Sequence, residues 1–470
     1  MAVTIAQKPL YDVLPIGQQV IFAVSEDTIV ATKFKVKFVA QVHVSNFPIN
    51  PSNNTALIGT FKTTPNNAGV GIFDFRPILE TFVKPDNEPQ TDIDTNSDSE
   101  YKGTKAQDTM FPIHLVDKFA ISKSSIKYFA INFFVEYSES AISSVIDFTT
   151  LNPTPSEPYT IFNGVLQYDD VLDVFQNDYG YSMVNYFFLS NFPIPNTKNF
   201  LTTAPQTQYA RLEDYGTLSF FNYISSSYIN KFKITYYWSG GSSSETVVWQ
   251  NSNGGAYGTG QLANTRLGYF GAFPANLQNW SATFATAVTN GLTRYTVEAV
   301  NDLGYAISRA NTINIICPNE RGYEGVRLTW LNKWGTWDYY TFNMKSTRSI
   351  STNRTSYTQL GGTWNESTFK ISGYKGGTKS FRVNSTEKIK LNTDFVTEEE
   401  GVWFEQLINS PEAYVLEGFQ SDRAFSSLNN YVEPATVTTS SYTRKTIANN
   451  KVMQYTFEIE KSKIKRTQAV

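Results

Sequence analysis

Apolar residues at every second position recur along this chain, and that spacing leaves few folds open. In "KFKVKFVAQVHV", Phe34, Val36 and Phe38 alternate with Lys33, Lys35 and Lys37. Successive strand side chains point to opposite faces, so this segment reads as a half-buried strand with a lysine-lined outer side. "IKYFAINFFVEY" places Phe129, Ile131, Phe133 and Val135 on one face. Ala130, Asn132, Phe134 and Glu136 fall on the other, which is apolar enough that both faces are expected to be covered. "KVMQYTFEIEK" alternates Met453, Tyr455, Phe457 and Ile459 against Gln454, Thr456, Glu458 and Glu460. The expected fold class is mainly β: two N-terminal β-sandwich-like regions followed by a C-terminal α+β domain.

At 470 residues the chain is too long for one ordinary core. Three regions are expected. Residues 1–150 form an N-terminal β domain, with the polar run 84–103 as an exposed, mobile loop and Pro77 at a first helical turn. "TTLNPTPSEP" (149–158) holds three prolines and is the best linker candidate. Residues 159–320 form a β-sandwich, with Gly240 and Gly241 in the turn of a hairpin. Within it, Tyr295-x-Val297-x-Ala299-x-Asn301-x-x-Gly304 resembles the sixth-strand signature of fibronectin type III sandwiches. That likeness implies a fold and no function. Residues 321–470 form the α+β domain. Its helix over 397–409 is signalled by Thr397 as cap, Glu400 completing a capping box, acidic residues in the first turn, and Pro411 as stop.

Charged residues make up only 17% of the chain, below the usual quarter or so, while aromatics reach 15%. Charge depletion with aromatic enrichment suits surfaces that a partner covers. The net charge of −3 supplies no basic excess for nucleic acid. No 18-residue apolar stretch and no secretory leader is evident, so neither a membrane partner nor an oxidising compartment is expected. The single cysteine, Cys317, reads as a small buried hydrophobe.

Groups for catalysis are scarce. The two histidines, His43 and His114, read as surface or part-buried residues. Asp169-Asp170 reads as an exposed acidic turn and not as a glycosidase pair. "DIDTNSDSE" has Ser97 and Gly103 where a calcium loop would want glycine and glutamate. "GGAYGTGQ" lacks the lysine and helix of a phosphate loop. No catalytic residue, metal site or cofactor is expected.

The densest aromatic stretch is "RLTWLNKWGTWDYYTF", residues 327–342. Its alternation predicts two strands joined by an aromatic-tipped turn around Gly335. Trp330, Trp334, Trp337 and Tyr339, with Trp403 and Phe404 of the helix, are the candidates for core packing or subunit contact. The sequence does not divide those two roles. A carbohydrate platform on Trp334 and Trp337 is the alternative, since flat apolar ring faces also stack on sugars.

Six segments carry a wider likeness: "FDFRPILETFV", "FPIHLVDKF", "YFAINFFVEY", "RLTWLNKWGTWDYYTF", "LNTDFVTEEEGVWFEQLINSPEAYVL" and "MQYTFEIEKSKIKRTQ". In that order they resemble virion structural proteins of tailed phages that infect Bacteroidetes, the crAss-like phages among them. The resemblance implies a component of the tail or of the neck-to-tail barrel, assembled in the host cytoplasm. It implies a ring of identical copies, six- or twelve-fold, touching neighbouring tail, portal or ring proteins, and it brings no catalytic residues. A tail-fibre or baseplate adaptor, or a glycan-binding adhesin, is the competing expectation.

Overall fold

A computed structural model describes residues 3–466, apart from 47–55, 88–112, 114–118, 149–152, 168–169, 174–177, 184–185, 189–197, 223–230, 249–266, 317–321, 417–431, 444–452 and positions 123, 171, 182, 302 and 442. His114, Cys317, Asp169, the 92–98 acidic run and the 254–261 glycine run lie outside the described residues. The protein is mainly β, with several antiparallel and mixed sheets. It divides into two compact units. One comprises Met1–Ile315, Leu331–Asp338 and Arg423–Phe425; the other comprises Ile316–Trp330, Tyr339–Asp422 and Ser426–Val470.

In the first unit, strands Phe34–Ser45 and Ile126–Ser138 pair antiparallel at the centre of a mixed sheet. Strand Leu57–Thr63 flanks one side; Tyr159–Phe162 and then Val13–Pro15 flank the other. The buried rings of Phe22, Phe73, Phe75 and Phe133 gather against it with the three-stranded sheet of Thr4–Gln7, Ile21–Ser25 and Val70–Asp74. The expected alternation of 126–138 is present, with Phe129, Ile131, Phe133 and Val135 all fully buried. At the start of 34–45 it fails. Lys35 takes a positive φ of 54°, and the register slips between Phe34 and Lys37. This bulge turns Phe34 out to 48% exposure, and regular burial resumes at Phe38.

Pairing also runs across the stretch expected to be a linker. Thr154–Pro155 pairs with Phe133 and Asn132, and the Ser156 hydroxyl accepts the Ile131 N–H at 3.0 Å. The proline-rich segment is thus tied to a sheet edge, where a missing N–H is tolerated. Pro77 stands in the first turn of helix Arg76–Leu79, as its position predicts.

A five-stranded sheet follows, ordered Thr207–Ala210, Asn311–Ile315, Leu292–Val300, Lys231–Trp238, Gly241–Val248. Phe232 stacks on Phe270 at 4.7 Å, and Phe270 stacks on Phe119 at 5.0 Å. Phe270 and Phe119 belong to the four-stranded sheet of Phe187–Phe188, Thr217–Asn222, Leu267–Gly271 and Phe119–Ile121, so the two sheets meet through these rings. Tyr295, Val297 and Ala299 are fully buried, and the Asn301 side chain accepts the N–H groups of Leu303 and Tyr305 to hold the turn at Gly304. In the earlier hairpin the turn is Ser239–Gly240; Gly241 already opens the next strand, opposite Trp238.

The second unit is built on one sheet ordered Trp337–Phe342, Val326–Leu331, Ala413–Leu416, Val432–Val437, Thr456–Lys461, Gly377–Asn392, Thr347–Gln359. Helix Glu398–Asn409 packs on it. The capping box of Thr397 and Glu400 forms as the sequence predicts, and the helix ends at Ser410, before Pro411. Met453, Tyr455, Phe457 and Ile459 are all buried, so the last strand keeps its alternation.

Candidate functional site

The 327–342 stretch forms two strands and a tight turn, and the turn is held by one amide. The Asn332 Oδ1 accepts the N–H groups of Trp334 (3.0 Å) and Thr336 (3.2 Å). Its Nδ2 donates to the Leu201 carbonyl (3.1 Å) and to Asp338 (3.0 Å). Asp338 in turn accepts from the hydroxyls of Thr202 (2.6 Å) and Thr203 (3.1 Å). Gly335 has φ +71°, and a Cβ there would sit 1.8 Å from the Asn163 carbonyl oxygen. Only glycine fits both the backbone and the space.

The rings of this turn are interior. Trp334 and Trp337 are each 1% exposed. Trp334 lies 4.2 Å from Tyr186 between ring centroids, and Lys333 is 5.5 Å from its ring. The Trp337 indole donates to the Asp86 carbonyl at 3.1 Å. Asp86 itself, expected within an exposed loop, is fully buried. Its carboxylate accepts from the Ser124 N–H (2.8 Å) and the Tyr269 hydroxyl (2.7 Å). Asp170, expected in an exposed acidic turn, is mostly buried and pairs with Lys333 at 2.7 Å. Sequence position alone marked neither partner, because both contacts span long chain separations.

The remaining candidates meet in the second unit. Trp330 lies 5.0 Å from Trp403, Tyr340 meets Phe404 edge-on at 4.9 Å, and Phe404 lies 5.3 Å from Phe457. Tyr339 is buried, with the Arg327 guanidinium 5.4 Å from its ring. Burying a side chain of this size contributes about 2–3 kcal/mol, so this cluster holds the helix to the sheet. Glu400 is pushed up from the ordinary carboxylate range by burial, and its bonds to Thr397 oppose that shift. All six candidate residues are therefore packing residues within their own units, and none offers an open ring face.

Other titratable groups fit the same pattern. His43 is 7% exposed, and burial lowers its pKa. The Tyr236 phenol is raised well beyond its ordinary value, by burial first and then by its bond to Glu245. Among the described residues no group of three or more His, Cys, Asp or Glu gathers as a metal site, and no helix is long and apolar enough to cross a membrane.

The exposed aromatic surface lies where the sequence analysis placed no candidate. Strands Thr347–Gln359 and Gly377–Asn392 pair as a long hairpin at the edge of the second unit's sheet. Strand Thr456–Lys461 covers 377–392 only from Lys388 onward, with an isolated bridge between Ser385 and Lys465. From Asn353 and Asn384 outward, the hairpin is a two-stranded ribbon with no third strand beside it among the described residues. At about 3.3 Å per residue it extends roughly 20 Å before its tip. The tip carries Trp364 at 81% exposure, Ile371 at 84% and Tyr374 at 79%.

The tip is nonetheless ordered. Thr363 N–H donates to the Lys370 carbonyl, Ser372 N–H donates to the Gly361 carbonyl, and both bonds are 3.0 Å. Two signals in the sequence mark this arm: the Ser/Thr/Asn-rich run "TRSISTNRTSYTQ", and the pairs Gly361-Gly362 and Gly376-Gly377 bracketing its tip. The chain matches no protein-family model, and comparison with curated proteins finds no match.

Proposed function

We propose that this chain is a structural protein of a tailed-phage virion, acting as a homo-oligomeric ring in the tail or neck-to-tail barrel and carrying no catalytic role. In this reading the first unit comprises two sandwich-like regions, the second of them fibronectin III-like, and the second unit supplies the α+β assembly module. The observation that carries the reading is the arm. An isolated two-stranded ribbon is marginal in water, and exposed apolar side chains clustered along it mark a surface that another body covers. The segment order resembling phage virion proteins supplies the particular setting. The chain's partners are then further copies of itself and adjoining tail, portal or ring proteins, and its place is the virion.

Light scattering and electron microscopy of the purified chain test this. The expected result is a closed oligomer of six or twelve copies, or one that forms on adding adjoining virion proteins. A chain that stays monomeric, joins no particle, or turns over a substrate overturns it. The glycan-binding alternative loses its expected platform, because Trp334 and Trp337 are buried. Among the described residues Trp364 and Tyr374 are the most exposed rings left to it, and glycan retention abolished by Trp364→Ala would favour it.

A further inference from the structure

The arm has two unlike faces. The register sets Ile350 opposite Glu387, Arg354 opposite Val383 and Tyr357 opposite Lys379, with a bulge between Thr355 and Ser356. Residues directly opposite share a face, as do residues two apart on one regular strand. Ile350, Tyr357, Phe381 and Val383 therefore line one face, and Tyr357 meets Phe381 at 6.4 Å. They are 68%, 44%, 43% and 37% exposed. The other face is Ser349, Ser351, Asn353, Thr355, Ser356 and Thr358 against Thr378, Ser380, Arg382, Asn384 and Thr386. One side is hydrated by its own hydroxyls, its amides and Arg382; the other carries the four apolar side chains uncovered, with Arg354 and Lys379 on the same face.

Charge says what can cover that face. From Ser349 to Thr386 the arm holds Arg354, Lys370, Lys375, Lys379 and Arg382 against Glu366 alone, a net +4. The whole chain is −3, so the remainder stands at −7. Two arms face to face would set +4 against +4, which disfavours a symmetric arm-to-arm contact. An arm lying on the acidic remainder of another copy joins unlike surfaces. Such a head-to-tail contact, repeated, generates a ring or a filament.

Within the second unit the matching surface is the outer side of helix Glu398–Asn409. Glu398 and Glu399 are exposed, with no cationic partner among the described residues. Beside them Phe395 is 58% exposed and Val402 is 45% exposed. Both surfaces are open in a single copy, so the contact is not made within it. We propose that the ribbon arm of one copy docks, apolar face down, on the outer face of helix Glu398–Asn409 of the next copy. This deepens the ring reading and rests on it.

Three full-length proteins test the proposal: the wild type, an arm variant (Ile350→Ser with Phe381→Ser) and an acceptor variant (Glu399→Lys with Val402→Lys). All four positions are exposed, so circular dichroism and melting should be unchanged. Each variant alone is expected to shift the assembly midpoint about tenfold or more to higher protein concentration. Mixed together, they retain one good arm and one good acceptor, and are expected to give a one-to-one pair that grows no further.

A wild type that forms rings which both variants also form overturns the docking proposal and leaves the ring reading standing. A wild type that never assembles overturns both. Duplex DNA retained by the wild type and lost on Lys379→Glu with Arg382→Glu, with assembly intact, would make the arm a nucleic-acid element and overturn the docking.

Discussion

Two hairpins of this molecule end in tryptophan-bearing turns, and they meet opposite fates. The turn at 331–338 buries Trp334 and Trp337 to 1% exposure each, while the arm carries Trp364 into solvent at 81%. Aromatic content does not separate them; polar chemistry does. In the buried turn Asn332, Asp338 and Thr336 satisfy the backbone N–H groups and one another from inside, which lowers the cost of leaving water, although the Trp334 indole N–H has no partner among the described residues. Along the arm, hydroxyls, amides and Arg382 occupy one face, and Arg354 and Lys379, which meet no carboxylate among the described residues, help keep the ribbon hydrated. A tryptophan in a turn thus reports packing in one case and an uncovered surface in the other.

Glycine substitution gives the largest contrast. Gly335→Ala must relieve both a left-handed backbone and a Cβ placed 1.8 Å from the Asn163 oxygen. The expected loss is about 4 kcal/mol or more, read by urea denaturation with tryptophan fluorescence. Gly377 on the arm has nearly the same backbone, φ +74°, but nothing within 4 Å of a Cβ. Gly377→Ala should cost only about 1 kcal/mol. Equal losses at the two sites would show that the buried turn is looser than its geometry states. Next in size is Asn332→Ala, which strands the N–H groups of Trp334 and Thr336 and one acceptor on Asp338. About 3 kcal/mol is expected, and a loss below about 1 kcal/mol would mean that water replaces the amide.

Local rules made some of this legible in sequence, and long-range ones hid the rest. The helix at 398–409 could be read from Thr397, Glu400 and Pro411 because capping is decided within four residues. The mainly β character could be read because a two-residue period needs no tertiary information. Phe34 was misjudged because a bulge at Lys35 breaks the period without a sequence mark. Asp86 and Asp170 were misjudged because their partners lie far along the chain, at Tyr269 and Lys333. The arm escaped notice for a different reason. Its strands are polar on one face and sparsely apolar on the other, a pattern that resembles an ordinary solvated hairpin until the missing third strand is seen.

The base of the arm supplies a pH-dependent test. Glu387 is 6% exposed, and its hydrogen bond with Lys465 holds the carboxyl below its ordinary value of 4.5, with Arg348 assisting. A carboxylate whose folded pKa is depressed contributes stability that is complete above its unfolded value and is lost as pH falls through the folded one. Lys465 is more than half exposed, so screening limits the effect to about 0.5–1 kcal/mol. Glu387→Gln should therefore lower stability by that amount near neutral pH, and the difference should disappear as pH falls through the depressed folded value. A difference that persists undiminished in acid would assign the loss to packing at the arm's base instead of charge.

The smallest effect on stability belongs to the arm's own tryptophan. Removing a buried indole usually costs 3 kcal/mol or more, because neighbours cannot close the space. Trp364 has few neighbours to lose, since four-fifths of it faces water. Trp364→Ser should therefore change unfolding free energy by less than about 0.5 kcal/mol. Its effect should fall on association, because removing an exposed apolar ring lowers the gain from covering it. Sedimentation across a protein dilution series reads this directly, and the variant should dissociate at concentrations where the wild type stays assembled. If the melt is instead lowered by several kcal/mol while assembly is untouched, Trp364 is a folding residue. The two hairpin tips would then differ in degree of burial but not in role.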